Sequence, residues 1–416
     1  MKTKKICVVG GGAAGMMAAI RAAESGADAV ILERNERPGR KLLITGKGRC
    51  NVTNNCSVPE LVAAVPVNGR FLYGAFSRFC AQDMMNFLEN AGLPLKTERG
   101  NRVFPCSDRA MDVVDTLDRL CRELGCRRLQ ERAQHLLTAD GSICGVQTES
   151  SRELMFDRVI LCTGGLSYPV TGSTGDGFRM AAEVGHTVTP PQPSLVPFEA
   201  EEAWCRDLMG LSLRNVGLKI CDRKTNRVIY EDFGEMLFTH FGISGPMVLS
   251  ASSHIRRMEP GRYVAQIDLK PALSEEQLDA RLLREFSSAV NRDLRNVLPA
   301  LLPNKMVPVF LHLSEIAPET KINQITREMR RRLILLLKCF PVSLKRFRPV
   351  EEAIITSGGI CVKEINPKNM ESRLVNGLYF AGEIIDADAY TGGFNLQIAW
   401  STGHLAGESA AAETDS

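Results

Sequence analysis

The sequence predicts an α/β protein that opens on a Rossmann-like parallel sheet and is later interrupted by a β-barrel-like insert and a small helical subdomain. Three observations carry that reading. A strand, a glycine turn, a helix and a second strand follow one another between residues 6 and 33. Two further strands are read at residues 158–165, running into Gly164-Gly165, and 378–386, with Gly382 near its end. Between about residue 190 and residue 355 the chain changes to alternating strand patterns and then to helical spacing.

Ile6-Cys7-Val8-Val9 is a continuous apolar run, as a strand covered on both faces requires. Gly10-Gly11-Gly12-Ala13-Ala14-Gly15 follows at once and satisfies G-x-G-x-x-G at Gly10, Gly12 and Gly15. In that pattern the first glycine permits a tight turn, the second admits a pyrophosphate to the backbone, and the third lets the helix pack on the strand. Met16 to Ser25 reads as the alanine-rich helix, closed by Gly26. The second strand, Ala29 to Leu32, ends in Glu33, at the spacing where an acid accepts hydrogen bonds from a ribose hydroxyl pair. The unit points to a dinucleotide without saying which.

Glu33 leads into a long basic loop, Arg34 to Asn55, where a nicotinamide dehydrogenase usually adds further βα units. Its core is Gly46-Lys47-Gly48-Arg49-Cys50-Asn51-Val52-Thr53-Asn54. Further blocks are Thr163-Gly164-Gly165-Leu166-Ser167-Tyr168-Pro169 running on to Gly177, then Phe238 to Pro246, then Gly377 to Gly403. Together and in this order they resemble the BaiN/YhiN-like flavoproteins, also called the aminoacetone oxidase family of FAD-binding enzymes. The resemblance spans almost the whole chain and implies a two-dinucleotide-type FAD-binding domain.

It also implies the cofactor contacts. Beside Gly10, Gly12, Ala13, Ala14, Gly15 and Glu33, these are Arg34, Lys41, Gly46, Arg49, Cys50 and Asn51 of the loop, Thr163 and Gly164, and Gly382 after the strand that begins at Leu378. Asp386 takes the ribityl chain. Gly393, Phe394 and Asn395 open a helix running to about Ser409, whose N-terminal N–H groups stabilise negative charge on the flavin or phosphates. Backbone near Gln134 and His135, in a meander turning at Asp140-Gly141, touches the adenine. The arginine before Cys50 is expected to lower its thiol pKa.

The divisions expected are 1–190 and 355–416 for the FAD domain, 191–273 for the barrel-like insert, 274–338 for the helices and 339–354 for the return. Pro190-Pro191-Gln192-Pro193 reads as the departing linker. Leu211 to Cys221, Val228 to Phe238 and Tyr263 to Leu269 read as strands. Ser274-Glu275-Glu276-Gln277 is a capping box before Leu278, Leu282, Leu283 and Phe286 at helical spacing, and Leu298–Leu302 and Met329–Leu337 continue in helices.

Composition narrows the function classes. The 44% hydrophobic and 24% charged content is that of a soluble globular chain. A net charge of +3 argues against nucleic acid or a membrane as partner and leaves a small molecule. The four apolar residues after Lys5 are too few for a secretory signal, and no run approaches a membrane span. Thirteen cysteines without a Cys-x-x-Cys pair read as reduced thiols in the cytoplasm, and the six scattered histidines suggest no metal site.

With one dinucleotide fingerprint, NAD(P)H is expected as a transient co-substrate that reloads FAD. The resemblance implies reduction of a C=C bond conjugated to a ketone, as in a 3-oxo bile-acid or steroid intermediate. Oxidation of a small amine such as aminoacetone is the alternative, and a non-redox or RNA-modifying role a third. Tyr168 and His240 are the candidate proton donors, with Ser244 behind them.

Overall fold

The computed structural model describes residues 3–412. Two compact units divide it, one made of the chain up to Ser194 together with the chain from Pro349, the other of Leu195–Arg348.

The first unit is built on a five-stranded parallel sheet in the order Leu378–Phe380, Arg158–Leu161, Lys5–Val9, Asp28–Leu32, Arg127–Leu129. The apolar run predicts the middle strand correctly: Ile6 to Val9 are buried, between Val159–Leu161 and Val30–Leu32. Because every strand runs the same way, their carboxyl ends share one edge, and Gly10, Glu33, Cys162 and Ala381 all emerge there. In open α/β sheets that edge takes the ligand.

Two helices cover the sheet, Ala13–Glu24 and Phe394–Ala411. Their backbones touch. A Cβ on Gly403 would stand 2.4 Å from the Ala14 carbonyl oxygen, and one on Gly407 would stand 2.3 Å from that of Ala18. Glu408 adds ion pairs to Arg21 at 2.7 Å and Arg78 at 2.6 Å. The meander Ala133–Ala139, Ser142–Thr148, Glu153–Met155 and a small sheet of Thr53–Asn54, Arg102–Pro105 and Leu95–Glu98 complete this unit with one further hairpin-like pair.

That pair corrects the sequence reading of a proline linker. Val188–Ser194 is a strand, antiparallel to Ile355–Ile360. The register slips between Thr189 and Gln192, so Pro190 and Pro191 fall in the irregularity, where no ladder N–H is needed.

In the second unit six strands close a barrel in the order Phe198–Ala200, Gly242–Ser244, Arg227–Phe238, Ser212–Asp222, Tyr263–Asp268, Phe340–Phe347. The helices Glu275–Ser287, Val307–Ser314 and Arg327–Lys338 are inserted between its fifth and sixth strands in chain order. Barrel and helices share one hydrophobic core, from Phe198 and Phe340 to Leu278, Phe310 and Leu337. The capping box forms as predicted, with the Gln277 N–H donating to Ser274 Oγ at 3.2 Å and the Ser274 N–H donating to Gln277 Oε1 at 2.9 Å.

Two helical expectations are corrected here. Leu298–Leu302 does not continue as α-helix, because Pro299 and Pro303 break it into short 3₁₀ turns such as Leu298–Ala300. Leu283 points outward at 45% exposure, while Leu278, Leu282 and Phe286 are buried. No helix among the described residues is long and apolar enough to cross a membrane.

Replacing Leu282 by Ala should therefore cost about 2–5 kcal/mol of stability and Leu283→Ala less than about 0.5 kcal/mol, read as shifts of the urea midpoint. A second expectation concerns acid. The Arg78 hydrogen bond, helped by Arg21, holds the Glu408 carboxyl at about 2 against an ordinary 4.5. A depressed folded pKa contributes stability that is complete above pH 4.5 and is lost as pH falls toward 2. Glu408→Gln should flatten the acid-unfolding curve in that window.

Candidate functional site

The glycine turn is shaped as a phosphate cradle. Gly10 has φ of +102°, and a Cβ there would meet the Cys162 carbonyl oxygen at 2.6 Å. Gly15 is tighter, since its Cβ would fall 1.8 Å from the Gly10 carbonyl oxygen. Gly12 differs: nothing lies within 4 Å of the position its Cβ would take. The helix begins at Ala13, with no side-chain cap and no acid in its first turn. Open space at Gly12 and uncapped N–H groups at Ala13, Ala14 and Gly15 suit an anion.

Glu33 closes one side of the cradle. It is 7% exposed, accepts the Gly11 N–H at 2.7 Å through Oε2 and the Asn35 N–H at 2.8 Å through Oε1. Beyond the turn a cleft is lined by Val9, Gly10, Arg34, Ala133, Thr163 and Thr174, among others. Arg34 donates to Thr174 Oγ1 at 2.8 Å, and Arg132 binds Asp176 through two nitrogens at 2.9 and 2.8 Å. These bonds strap the loop before Asp176–Glu183 to the meander. Gln134 does not line the cleft; its carbonyl accepts Arg179 at 2.6 Å, and Ala133 takes the lining position. His135 is likewise turned to Glu183, at 2.8 Å.

The basic loop is fixed to the C-terminal block. Lys41 Nζ donates to Ser167 Oγ at 2.6 Å and pairs with Glu383 at 2.5 Å. Through its other oxygen Glu383 accepts Ser167 Oγ at 3.0 Å and the Thr356 N–H at 2.9 Å, while Thr356 Oγ1 accepts the Leu166 N–H at 2.7 Å. Four segments that are far apart in sequence meet at this one carboxylate. Lys41 is thus a cross-link within the wall of the site, next to Gly382 (φ +79°).

Gly392 and Gly393 have φ of +118° and +100°, and a Cβ on Gly393 would meet the Thr53 carbonyl oxygen at 2.4 Å. Only glycine lets the start of Phe394–Ala411 lie on this loop. Thr53 Oγ1 donates to Gln397 Oε1 at 2.6 Å, Trp400 Nε1 to the Val52 carbonyl at 2.9 Å and Asn54 Nδ2 to that of Gly392 at 3.1 Å. The helix N-terminus carries no side-chain cap and no acid. Phe394 is half-buried against the unit's core. Asp386, 9% exposed, accepts Thr189 Oγ1 at 3.0 Å.

Several assignments change. Arg49 does not stand ready for phosphates: its guanidinium bonds Glu98, donates to Asp108 at 2.7 Å and lies 4.1 Å over the Phe104 ring. Cys50 is fully buried at φ +59°, and desolvation pushes its thiol up to about 12 rather than down. Asn395 spends its amide on the chain, accepting the Ala389 N–H and donating to the Ala389 carbonyl, both at 2.8 Å. Gly46, at φ +55°, packs on the Asn51 backbone.

Among the described residues, the buried oxygens Asn51 Oδ1 and Thr163 Oγ1 have no hydrogen-bond partner. Gly164 (φ +73°) follows Thr163. Buried polar atoms are ordinarily paired, so both fit a site whose ligand supplies the partner. With the Gly12 space and two uncapped helix N-termini, the residues present fit an FAD. Sequence reasoning missed Glu383, Thr356, Gln397 and the Gly358-Gly359 pair, whose φ values are +89° and +126°. The adjacent glycines in an apolar strand were the available signal.

Tyr168 and His240 belong to different units. Tyr168 adopts φ 51°, ψ 59° directly before Pro169, a left-handed conformation that costs a bulky residue of order 1–3 kcal/mol. It follows Ser167, which Lys41 and Glu383 hold. His240 is exposed in the turn from Phe238 to Gly242, its ring 5.0 Å from that of Phe241. Ser244 lies in a barrel strand. No cluster of three metal-ligating side chains occurs among the described residues.

A family profile described as HI0933-like protein Rossmann domain matches residues 4–409. The chain belongs to this HI0933-like family. It is 32% identical to a 3-dehydro-bile acid delta(4,6)-reductase of Clostridium scindens, over 98% of this chain and 99% of the relative. It is 30% identical to a ribosomal RNA dihydrouridine synthase of Escherichia coli, over 95% of each. Among solved structures, a 3-ketosteroid-delta4-(5alpha)-dehydrogenase from Rhodococcus jostii RHA1 superposes with a TM-score of 0.53 at 17% identity, covering 99% of this chain and 97% of that one, a likeness of fold. The HI0933-like chain is an FAD-dependent oxidoreductase.

Glu383→Gln should weaken FAD binding by roughly tenfold, the scale of one charge-assisted bond of about 1.5 kcal/mol, measured by quenching of flavin fluorescence on titration. Arg49→Gln should leave that affinity unchanged within about twofold.

Proposed function

We propose that this chain reduces a carbon–carbon double bond conjugated to a carbonyl group, with NADH or NADPH visiting transiently as the reductant. The supporting observation is chemical. Relatives of near-full length carry two names that differ in substrate, a 3-dehydro bile acid and a uridine in RNA, yet both products arise by adding two hydrogens across such a bond.

FAD, when bound, supplies the hydride transfer. The protein's part is to hold the cofactor, orient the substrate and deliver one proton to the α-carbon as charge develops on the carbonyl oxygen. Tyr168 is the donor in this reading. A phenol can give a proton at neutral pH to an enolate, and the strained backbone that presents it is held by the Lys41–Ser167–Glu383 cross-link. His240, whose imidazole is exposed, is the second candidate.

An enone of steroid-like shape is the first substrate class. A uridine within structured RNA is the second, and one observation favours it. The net charge of +3 is unevenly spread: residues 195–348 hold 24 Lys and Arg against 18 Asp and Glu, a net of +6, and the remainder is acidic. Asymmetry of that sign in an insert suits a phosphate backbone.

The test supplies the purified flavoprotein anaerobically with NADH or NADPH and then with a 3-oxo-Δ4 steroid or an unmodified ribosomal RNA, following flavin bleaching and product mass. Gain of two hydrogens by either substrate supports the proposal and chooses its class. No reduction of either substrate, together with oxidation of aminoacetone and hydrogen peroxide release when the protein is assayed in air, overturns it. Tyr168→Phe should lower kcat by about 10²-fold with FAD affinity retained, whereas His240→Gln should change it by less than about threefold.

A further inference from the structure

Away from the cofactor edge, the helix Ala110–Glu123 ends in a Schellman motif. Gly125 has φ +76°, the Cys126 N–H donates to the Cys121 carbonyl at 2.9 Å, and the Gly125 N–H donates to that of Arg122 at 3.1 Å. This motif brings together the side chains of the residue two past the cap and the residue three before it, usually as an apolar contact. Here both are cysteines. Each thiol donates to the first helix, Cys121 to the Met16 carbonyl at 3.8 Å and Cys126 to that of Ala19 at 3.5 Å.

The pair opens on a cleft of about 170 Å³ lined by Met16, Ile31, Pro38, Arg122 and Arg128, with Asp118 between the two arginines. Asp118 pairs with Arg128 at 2.9 Å and Arg122 at 3.4 Å, leaving one positive charge in excess at the mouth. Cys121 is 4% exposed and Cys126 half-buried.

We propose that Cys121 and Cys126 form a thiol–disulfide exchange site for a small anionic disulfide. The Cys126 thiolate attacks one sulfur of the ligand, forming a mixed disulfide and expelling one thiolate, which takes up a proton. Cys121 then gives up its proton and attacks Cys126 Sγ, expelling the second thiolate, which is protonated in turn. Two protein thiols are oxidised by two electrons and one small disulfide is reduced to two thiols. The assignment of roles follows from burial: Cys126 is half-buried at the cleft and can be reached by the ligand, whereas Cys121 is only 4% exposed. The deeper thiol is thereby the resolving one.

The experiment treats the full-length flavoprotein with oxidised glutathione, blocks remaining thiols and digests with trypsin. Cleavage after Arg119, Arg122 and Arg127 puts the two cysteines on separate peptides, Leu120–Arg122 and Glu123–Arg127, so the bond appears as a cross-linked pair. That pair should form about tenfold faster than glutathione adds to the exposed Cys106. Cys121→Ser should trap a glutathione adduct on Cys126, and Cys126→Ser should leave Cys121 unmodified, with FAD content confirming that each variant is folded. No cross-linked pair, or a Cys121 that reacts as fast without Cys126, would overturn the proposal.

Discussion

The close approach of the helices Ala13–Glu24 and Phe394–Ala411 is the constraint on which the rest of the first unit depends. Residues 389 positions apart must come into backbone contact, and Gly403 and Gly407 make that possible by presenting no side chain to the Ala14 and Ala18 carbonyls. Any side chain there would have to displace a helix. Once the two helices touch, their uncapped N-termini flank the carboxyl edge of one parallel sheet, and the first and last parts of the chain build one site.

A second layer of polar cross-links holds the irregular segments against that frame. Glu383 gathers the basic loop, the Leu166–Ser167 turn and the strand that contains Thr356. Thr53, Asn54 and Val52 fasten the same loop to the helix that begins after Gly393. None of these side chains has to touch the cofactor for the cofactor to depend on it, because the loop carries few regular backbone bonds of its own. The unpartnered oxygens of Asn51 and Thr163 stand out against this otherwise satisfied network.

The central strands of the sheet, the Gly10–Gly15 turn and three of the six barrel strands were legible because local pattern and final environment agree there. Ile6 to Val9 are apolar on both faces and lie in the middle of the sheet; Gly393 stands where no side chain fits, and Gly12 faces open space. Legibility failed where a residue's partner is distant. Glu98 and Asp108, which hold the Arg49 guanidinium, lie 49 and 59 positions away. Pro190 and Pro191 read as a linker because composition does not report a slipped register. Leu283 fits a helical stripe yet lies just beyond its buried edge. A single net charge likewise does not report that the two units carry opposite signs.

The claim at the centre of this account is that helix contact between the two ends of the chain assembles the FAD site. It is tested most directly by titrating FAD into the flavin-stripped protein and its Gly403→Ala variant, with circular dichroism confirming that both are folded. The account predicts one FAD per wild-type chain and an affinity at least about tenfold weaker in the variant. Equal affinity in a folded Gly403→Ala protein would contradict it.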